Sequence, residues 1–255
     1  MNRHRLTIVR MVLLVGFLLQ PPVLKLLAAG PSAEGTGGVQ STGTARGEVL
    51  TFREVEGDET AVHAITVSPA GSGFHVELTT TRGSNVVRQT FLVDSDLATR
   101  EWTFSDPVRR MDLAAAVQGE KIILSGSFQG RKIDKRFDAA GPPWNQLFQM
   151  GLGLFVLSGK KGVSFRSIGT QGPGELKIGK MTVTRKEEVS ITIGGREVDA
   201  VHVRISLSGI LSMFWHGDYW YRRSDGRFLR YRGKNRSGGP VAVSELVKEG
   251  MDDWR

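Results

Sequence analysis

The histidines beyond the amino-terminal leader are His63, His75, His202 and His216. No two stand at i, i+2 or i, i+4, the spacings that bring imidazoles together on a strand or a helix, so no metal site is predicted. His63 and His202 fall in the polar phase of alternating runs, which predicts side chains exposed on strands. In Gly126-Ser127-Phe128-Gln129-Gly130 the serine comes one place too early for a nucleophile elbow. Gly172-Pro173-Gly174 lacks the Lys and Ser/Thr of a phosphate loop. Asp94, Asp96 and Asp106 stand among turn residues, where Asp is favoured by hydrogen bonds to its own backbone. Cysteine is absent, which removes a disulfide framework, thiolate ligands and a lipid-modified cysteine. These observations predict a protein that is not an enzyme and holds neither cofactor nor metal. An unrecognised hydrolase is the remaining catalytic alternative.

Binding chemistry is better represented. Leu211–Arg232, LSMFWHGDYWYRRSDGRFLRYR, holds all three tyrosines and two of the five tryptophans. Asp225-Gly226 between two β-prone runs is a strong hairpin signal, because both central residues of a type I′ turn need φ > 0. With those two residues as the loop, Trp220 opposes Tyr231 and Arg222 opposes Leu229 on one face. Tyr221 opposes Arg230 and Tyr219 opposes Arg232 on the other. The first face is the more apolar at its base and is assigned to the core, which leaves an outer face of stacked Arg–Tyr pairs. A register slip of one residue would exchange the two faces. Half of the net charge of +8 sits on Arg3, Arg5, Arg10 and Lys25. Most of the remainder is concentrated at Arg222, Arg223, Arg227, Arg230, Arg232, Lys234 and Arg236. Such a stripe suits an anionic partner, or is simply the wet face of a strand.

The elements that position these residues are mostly strands. Alternating runs at Val49–Val55, Ala61–Ser68, Phe74–Thr81, Val86–Val93, Glu101–Phe104, Met111–Val117, Lys121–Phe128 and Lys132–Phe137 are joined by turn residues too short for crossover helices, which predicts an antiparallel meander. The pattern resumes at Val163–Ile168, Leu176–Thr184, Val189–Ile193, Val198–Leu207 and Val241–Val247, followed by a polar tail that is expected to fray. Between the two sets lies one helix, Trp144–Leu157. Trp144, Leu147, Phe148, Gly151, Leu152 and Phe155 share a face at helical spacing, and Pro142-Pro143 suits its first turn. Its other side is also apolar, so it is expected to be buried against the sheet or to cover a cavity, with Gly151 and Gly153 allowing close approach to the strands.

Residues 1–29 read as a signal peptide, with a basic start and small residues at Ala28, Ala29 and Gly30. Their charge-free span, Met11–Leu24, is shorter than the ~20 apolar residues a spanning helix needs. An uncleaved anchor is the alternative. Residues 30–47 read as a Gly/Ser/Thr linker, and 48–249 as a single antiparallel β domain. An outer-membrane barrel is disfavoured because many of the runs are shorter than the ~9–11 residues of a spanning strand. The mature chain is therefore expected to be periplasmic or extracellular, to have no transmembrane domain and to bind no nucleic acid.

An exported chain with a long meander, one mid-chain apolar helix (PPWNQLFQMGLGLFVLS) and a late YWYRRSDGRFLRY hairpin resembles the LolA/LolB-type periplasmic half-barrels. The likeness is one of architecture over about 48–247, and no specific residue motif matches. It departs in having one helix and no lipobox. The resemblance implies a mainly β fold, a large curved antiparallel sheet (half-barrel or open barrel) wrapped around the helix at about 143–158. It also implies an interior that takes up acyl chains. A lipid or other apolar ligand is therefore the first partner expected. It would be lined by Trp144, Phe148, Phe155, Phe214, Trp215, Trp220 and Tyr231, with Arg222 or Arg230 near an anionic headgroup. The alternative is an envelope protein partner docking on the basic, aromatic hairpin 211–232.

Overall fold

Each tight connection turns the chain back on itself, so consecutive strands pair antiparallel along both halves of the chain. The computed structural model describes residues 47–170, 175–213, 215–235 and 238–251. The leader, nearly all of the linker, Gly172-Pro173-Gly174, Phe214 and Arg236 lie outside the described residues. The strands of the first half are β1 (Glu48–Glu56), β2 (Glu59–Ala70), β3 (Gly73–Arg82), β4 (Asn85–Val93), β5 (Thr99–Asp106), β6 (Met111–Gln118), β7 (Lys121–Phe128) and β8 (Arg131–Asp138). The helix α1 (Phe148–Leu157) follows. The second half runs through β9 (Gly162–Thr170), β10 (Leu176–Ile193), β11 (Arg196–Leu207), β12 (His216–Arg222), β13 (Phe228–Lys234) and β14 (Val241–Met251).

All the strands form one 14-stranded sheet, β8-β7-β6-β5-β4-β3-β2-β1-β14-β13-β12-β11-β10-β9. The first and last strands pair in its middle, and a meander extends to either side. Its edges are β8 and β9, neighbours in sequence joined through α1. The expected open, curved antiparallel sheet around one helix is the fold observed.

The two edges meet without a backbone ladder. Arg166 on β9 donates from Nε to Pro142 O (2.8 Å) and from its two terminal nitrogens to Asp138 O and Ala139 O (2.6 Å each). Lys135 on β8 donates to Leu176 O at the start of β10 (3.0 Å). Between these clasps the chain from Pro142 to Gln146 lies along β9. Trp144 forms a parallel bridge with Arg166, and Gln146 exchanges hydrogen bonds with the backbone of Ile168. The same segment reaches β5, where Thr99 N–H donates to Trp144 O and Thr99 Oγ1 accepts from Gln146 N–H.

The helix therefore starts at Phe148, not Trp144, because the preceding residues are taken up by these extended pairings. It is buried on nearly all sides. Its open carboxyl-terminal carbonyls are met by Arg185, which donates to Val156 O at 2.8 Å, a favourable position for a cation at a helix end. Gly151 does allow a close approach, but to this segment rather than to the sheet: a Cβ there would lie 1.9 Å from Asn145 Nδ2.

Three further expectations change. Leu176–Thr184 and Val189–Ile193 are one 18-residue strand with a bulge at Arg185/Glu188. The tail does not fray at Lys248, since β14 pairs with β1 as far as Met251. In the late hairpin the register is slipped. Tyr219 pairs with Tyr231, Trp220 with Arg230 and Tyr221 with Phe228, with a bulge at Trp220/Tyr221. The loop is longer than Asp225-Gly226 alone: Gly226 N–H donates to Arg222 O, and Arg222 N–H to Arg227 O. Only Gly226 takes positive φ (70°); Asp225 uses its carboxylate to accept from the Arg227 N–H. The slip turns Tyr219 and Tyr221 inward and Trp220 outward while Tyr231 keeps its inner place, because it moves the pairing by one residue on a period of two.

Glycine makes that inward arrangement possible. Gly217 and Gly233 are cross-strand partners beside the Tyr219–Tyr231 pair. A Cβ on Gly217 would lie 2.7 Å from a ring carbon of Tyr231 and 3.0 Å from one of Tyr219; on Gly233 it would meet the Tyr231 hydroxyl at 2.5 Å. The rings thus lie over bare backbone and are fully buried. Gly217→Ala is expected to destabilise the fold by about 1–3 kcal/mol, the usual cost of overpacking a rigid interior. Urea unfolding of the variant against the wild type measures this.

Candidate ligand site in the sheet interior

The inner face carries a polar row across four neighbouring strands. Register places Glu54 of β1 beside Ser244 of β14, Ser244 beside Tyr231 of β13, and Tyr231 beside Tyr219 of β12. The row ends at Val203 of β11. Around it the interior is aromatic. Phe148 of α1 stacks on Phe165 (centroids 5.3 Å apart) and meets Tyr219 edge-on (6.3 Å). Phe228 lies against Phe52, Tyr219 and Tyr221 at 5.6–5.9 Å.

Several polar atoms of this interior have no hydrogen-bond partner among the described residues. They include the Tyr219 and Tyr221 hydroxyls, the Ser244 hydroxyl and both amide atoms of Gln149, the second residue of α1. All four residues are 0% exposed. An unmet buried donor or acceptor costs about 1–3 kcal/mol, so these atoms are the energetically exposed points of the aromatic interior. Burial holds the Tyr219 and Tyr221 phenols well above their ordinary value of 10.0; they are neutral donors and acceptors.

At the end of the interior where β1 finishes, Glu54 and Glu56 point inward with His63. Arg82 donates to Glu54 (2.8 Å) and to Glu59 (3.0 Å), and Asn235 Nδ2 lies within hydrogen-bonding distance of both Glu54 and Glu56. His63 bonds through Nδ1 with Thr80 Oγ1 (2.9 Å) and places Nε2 3.6 Å from Glu54. His63 is therefore buried, contrary to the expectation of an exposed strand histidine. It sits on the same face as Ile65 and Val67, so the phase of β2 puts it inside.

At the opposite end, Glu48 and Arg227 are buried together, with Arg227 Nη2 donating to Glu48 Oε1 at 2.6 Å. Arg227 also pairs with Glu249, and Arg222 pairs with Glu249 and Asp225. Burial pushes the Glu48 carboxyl up to about 7 despite Arg227, with the charge of Glu249 adding to the rise. Burial also opposes ionisation of Glu249, but hydrogen bonds from Arg222 and Arg227 hold it below the usual Glu range.

Of the residues expected to line a site, Phe148, Phe155 and Tyr231 face the interior. Trp144 and Trp215 are buried in the same core, their indole N–H groups donating to Gln146 Oε1 and Lys234 O. Trp220, Arg222 and Arg230 are not in the interior. Trp220 lies on the outer face, stacked on His202 at 4.9 Å. Arg230 is also outside, bonded to Thr192 O and paired with Glu245. The expected outer face of Arg–Tyr pairs does not exist. The stripe is offset by acids: Arg223 pairs with Glu188, and Arg204 and His202 both bond Asp218. His202 also lies 3.4 Å from Glu187 and is largely covered, so it is not an exposed strand histidine either. Burial opposes ionisation of Asp218, yet the bonds from Arg204 and His202 hold it below the ordinary Asp range.

Nothing in the sequence singles out Ser244 or Gln149, and Tyr219 and Tyr221, expected on the outer face, lie inside. The available signal was the phase shared by Gly217, Tyr219 and Tyr221, which puts glycine and tyrosine on one face and Trp220 on the other.

The architecture is an open β-barrel curled around a single helix, and no described helix is long and apolar enough to cross a membrane. No family model and no curated protein matches the chain. Among solved structures it is similar to the hypothetical lipoprotein YmcC from Escherichia coli (K12). The TM-score is 0.37 at 10% identity, over 79% of this chain and 86% of that chain. Nothing in these comparisons shows membership of the LolA/LolB type.

Glu48 offers a pH test of the rim. Its folded value of about 7 exceeds the ordinary 4.5, so the stability it contributes is complete below pH ~4.5 and is lost as pH rises through ~7. Between pH 5 and 8 the wild type should lose about 2–3 kcal/mol that Glu48→Gln does not lose. Urea unfolding of both proteins at the two pH values reads the difference.

Proposed function

We propose that this is an exported, non-enzymatic protein of the cell envelope that holds an amphipathic ligand inside the curled sheet. The apolar body of the ligand lies against Phe148, Phe165, Phe52 and Phe228. Its polar end meets Gln149, Tyr219 and Tyr221. The observation that carries this reading is the set of fully buried polar atoms without partners in an aromatic interior. A purely apolar ligand would leave them unmet, and a polar one would not match the rings. Export is supported by the basic, apolar, small-residue order of residues 1–29. The alternative of a protein partner docking on hairpin 211–232 is weakened by the pairing of Arg222, Arg223, Arg227 and Arg230 with carboxylates.

The full chain, purified from bacteria and sprayed under native conditions, should carry an extra mass that is released as a small amphiphile on activation. Tyr219→Phe and Tyr221→Phe should each reduce its retention while raising the stability of the ligand-free protein by about 1 kcal/mol, because each removes an unmet buried hydroxyl. A mass equal to the bare chain, together with hydroxyl-deletion variants that are less stable, would contradict the proposal.

A further inference from the structure

One edge of the sheet keeps backbone hydrogen-bonding groups open. β8 pairs with β7 on one side and ends the sheet on the other. Its phase follows from the turn. Gln129 and Gly130 both take positive φ (54° and 77°), which closes a two-residue hairpin on the Phe128–Arg131 pair. Hydrogen-bonded pairs then alternate along the ladder, and Ala139 N–H donating to Glu120 O continues the series. Arg131, Ile133, Lys135 and Phe137 therefore bond to β7, while Lys132, Asp134, Arg136 and Asp138 turn their backbone groups outward. Asp138 O is taken by Arg166. The N–H and C=O groups of Lys132, Asp134 and Arg136 have no partner among the described residues.

The charge beside these groups is positive and uncommitted. Arg131, Lys132 and Arg136 are exposed and form no ion pair among the described residues. Arg110 stands next to them: its carbonyl accepts from Gly130 N–H, and its guanidinium carbon lies 3.5 Å from where a Cβ of Gly130 would be. Asp134 is the one acid from Arg131 to Arg136. Lysine and arginine on an edge strand guard against pairing with a second copy of that strand, which brings the same charges. They do not guard against an acidic strand, whose carboxylates they attract. Ile133 and Phe137, on the inner face of β8, are only half-buried and would gain cover from an added strand.

We propose that the Arg131–Arg136 edge of β8 binds an extended, acidic segment of a partner protein by strand addition. The backbone of Lys132, Asp134 and Arg136 supplies the hydrogen bonds, and Arg131, Lys132 and Arg136 select for acidic side chains. This surface is separate from both the sheet interior and hairpin 211–232, so it stands independently of the ligand reading.

The test separates backbone pairing from charge. The full chain is titrated, with fluorescence anisotropy as the readout, against three labelled octapeptides. One alternates Glu and Val, one is the same peptide N-methylated on alternate backbone nitrogens, and one alternates Lys and Val. The acidic peptide is expected to bind at least about ten-fold tighter than either of the others, since N-methylation keeps the charge but removes backbone donors. Asp134→Asn, which retains the outward N–H and loses a like charge, should bind it at least as tightly as the wild type. Asp134→Pro removes an N–H that serves no bond to β7, a change an edge strand accepts. It should bind at least about ten-fold more weakly, with circular dichroism confirming the fold. Equal binding of the N-methylated peptide would overturn the proposal by showing attraction of charge alone. So would the absence of saturable binding by the acidic peptide, or self-association of the wild type that Asp134→Pro abolishes, which would give the edge to a second copy of this chain.

Discussion

The guanidinium of Arg166 holds the sheet in its curl. Its three bonds to Pro142 O, Asp138 O and Ala139 O tie the β9 edge to the end of β8, where no ladder exists. Arginine suits this role because its planar fork presents several donors at once and remains charged. Backbone carbonyls at an open sheet edge would otherwise be exposed to water or to another chain. With the edges drawn together, α1 has nowhere to lie but inside, and the residues of the inner face are shut away from solvent. Gly151 then follows as a local need, since Asn145 occupies the space a side chain would take. The same closure gives the polar row its meaning, because hydroxyls on a flat, wet sheet would need no partner.

Charge is distributed in keeping with this enclosure. Outside, Arg222, Arg223 and Arg230 of the late hairpin find the acids Glu249, Glu188 and Glu245 on other strands, so much of a local surplus in the sequence becomes a set of ion pairs in the fold. Solvent-exposed pairs of this kind contribute little stability individually; here their effect is to offset part of the positive charge on that face. Inside, Arg82 and Arg227 answer the buried carboxylates Glu54 and Glu48, as the cost of burying charge demands.

Much of the architecture was legible in the sequence. Alternation and short turns give the antiparallel meander, and the apolar run after Pro142-Pro143 gives the helix. The pairing of β1 with β14 was not legible, since nothing local encodes contact between chain ends so far apart. The hairpin register was misjudged at Asp225-Gly226 because the Asp225 side chain bonds Arg227 N–H and supports a longer loop. That single slip exchanged the roles of Trp220 and the tyrosines, and so misplaced most of the polar site. His63 was misread because it shares the phase of Ala61, Ile65 and Val67 on β2 and so lies on the inner face, opposite Phe52 of β1. Gln149 was hidden within a helix that read as uniformly apolar.

The central claim is that the unmet polar atoms of Gln149, Tyr219 and Tyr221 are the polar end of a ligand site. A crystal structure of the protein as purified tests it most directly. The account predicts continuous elongated density along α1 and Phe228, ending in a group within hydrogen-bonding distance of those side chains. Discrete waters bonded to the same atoms, or side chains repacked to bond one another, would contradict it.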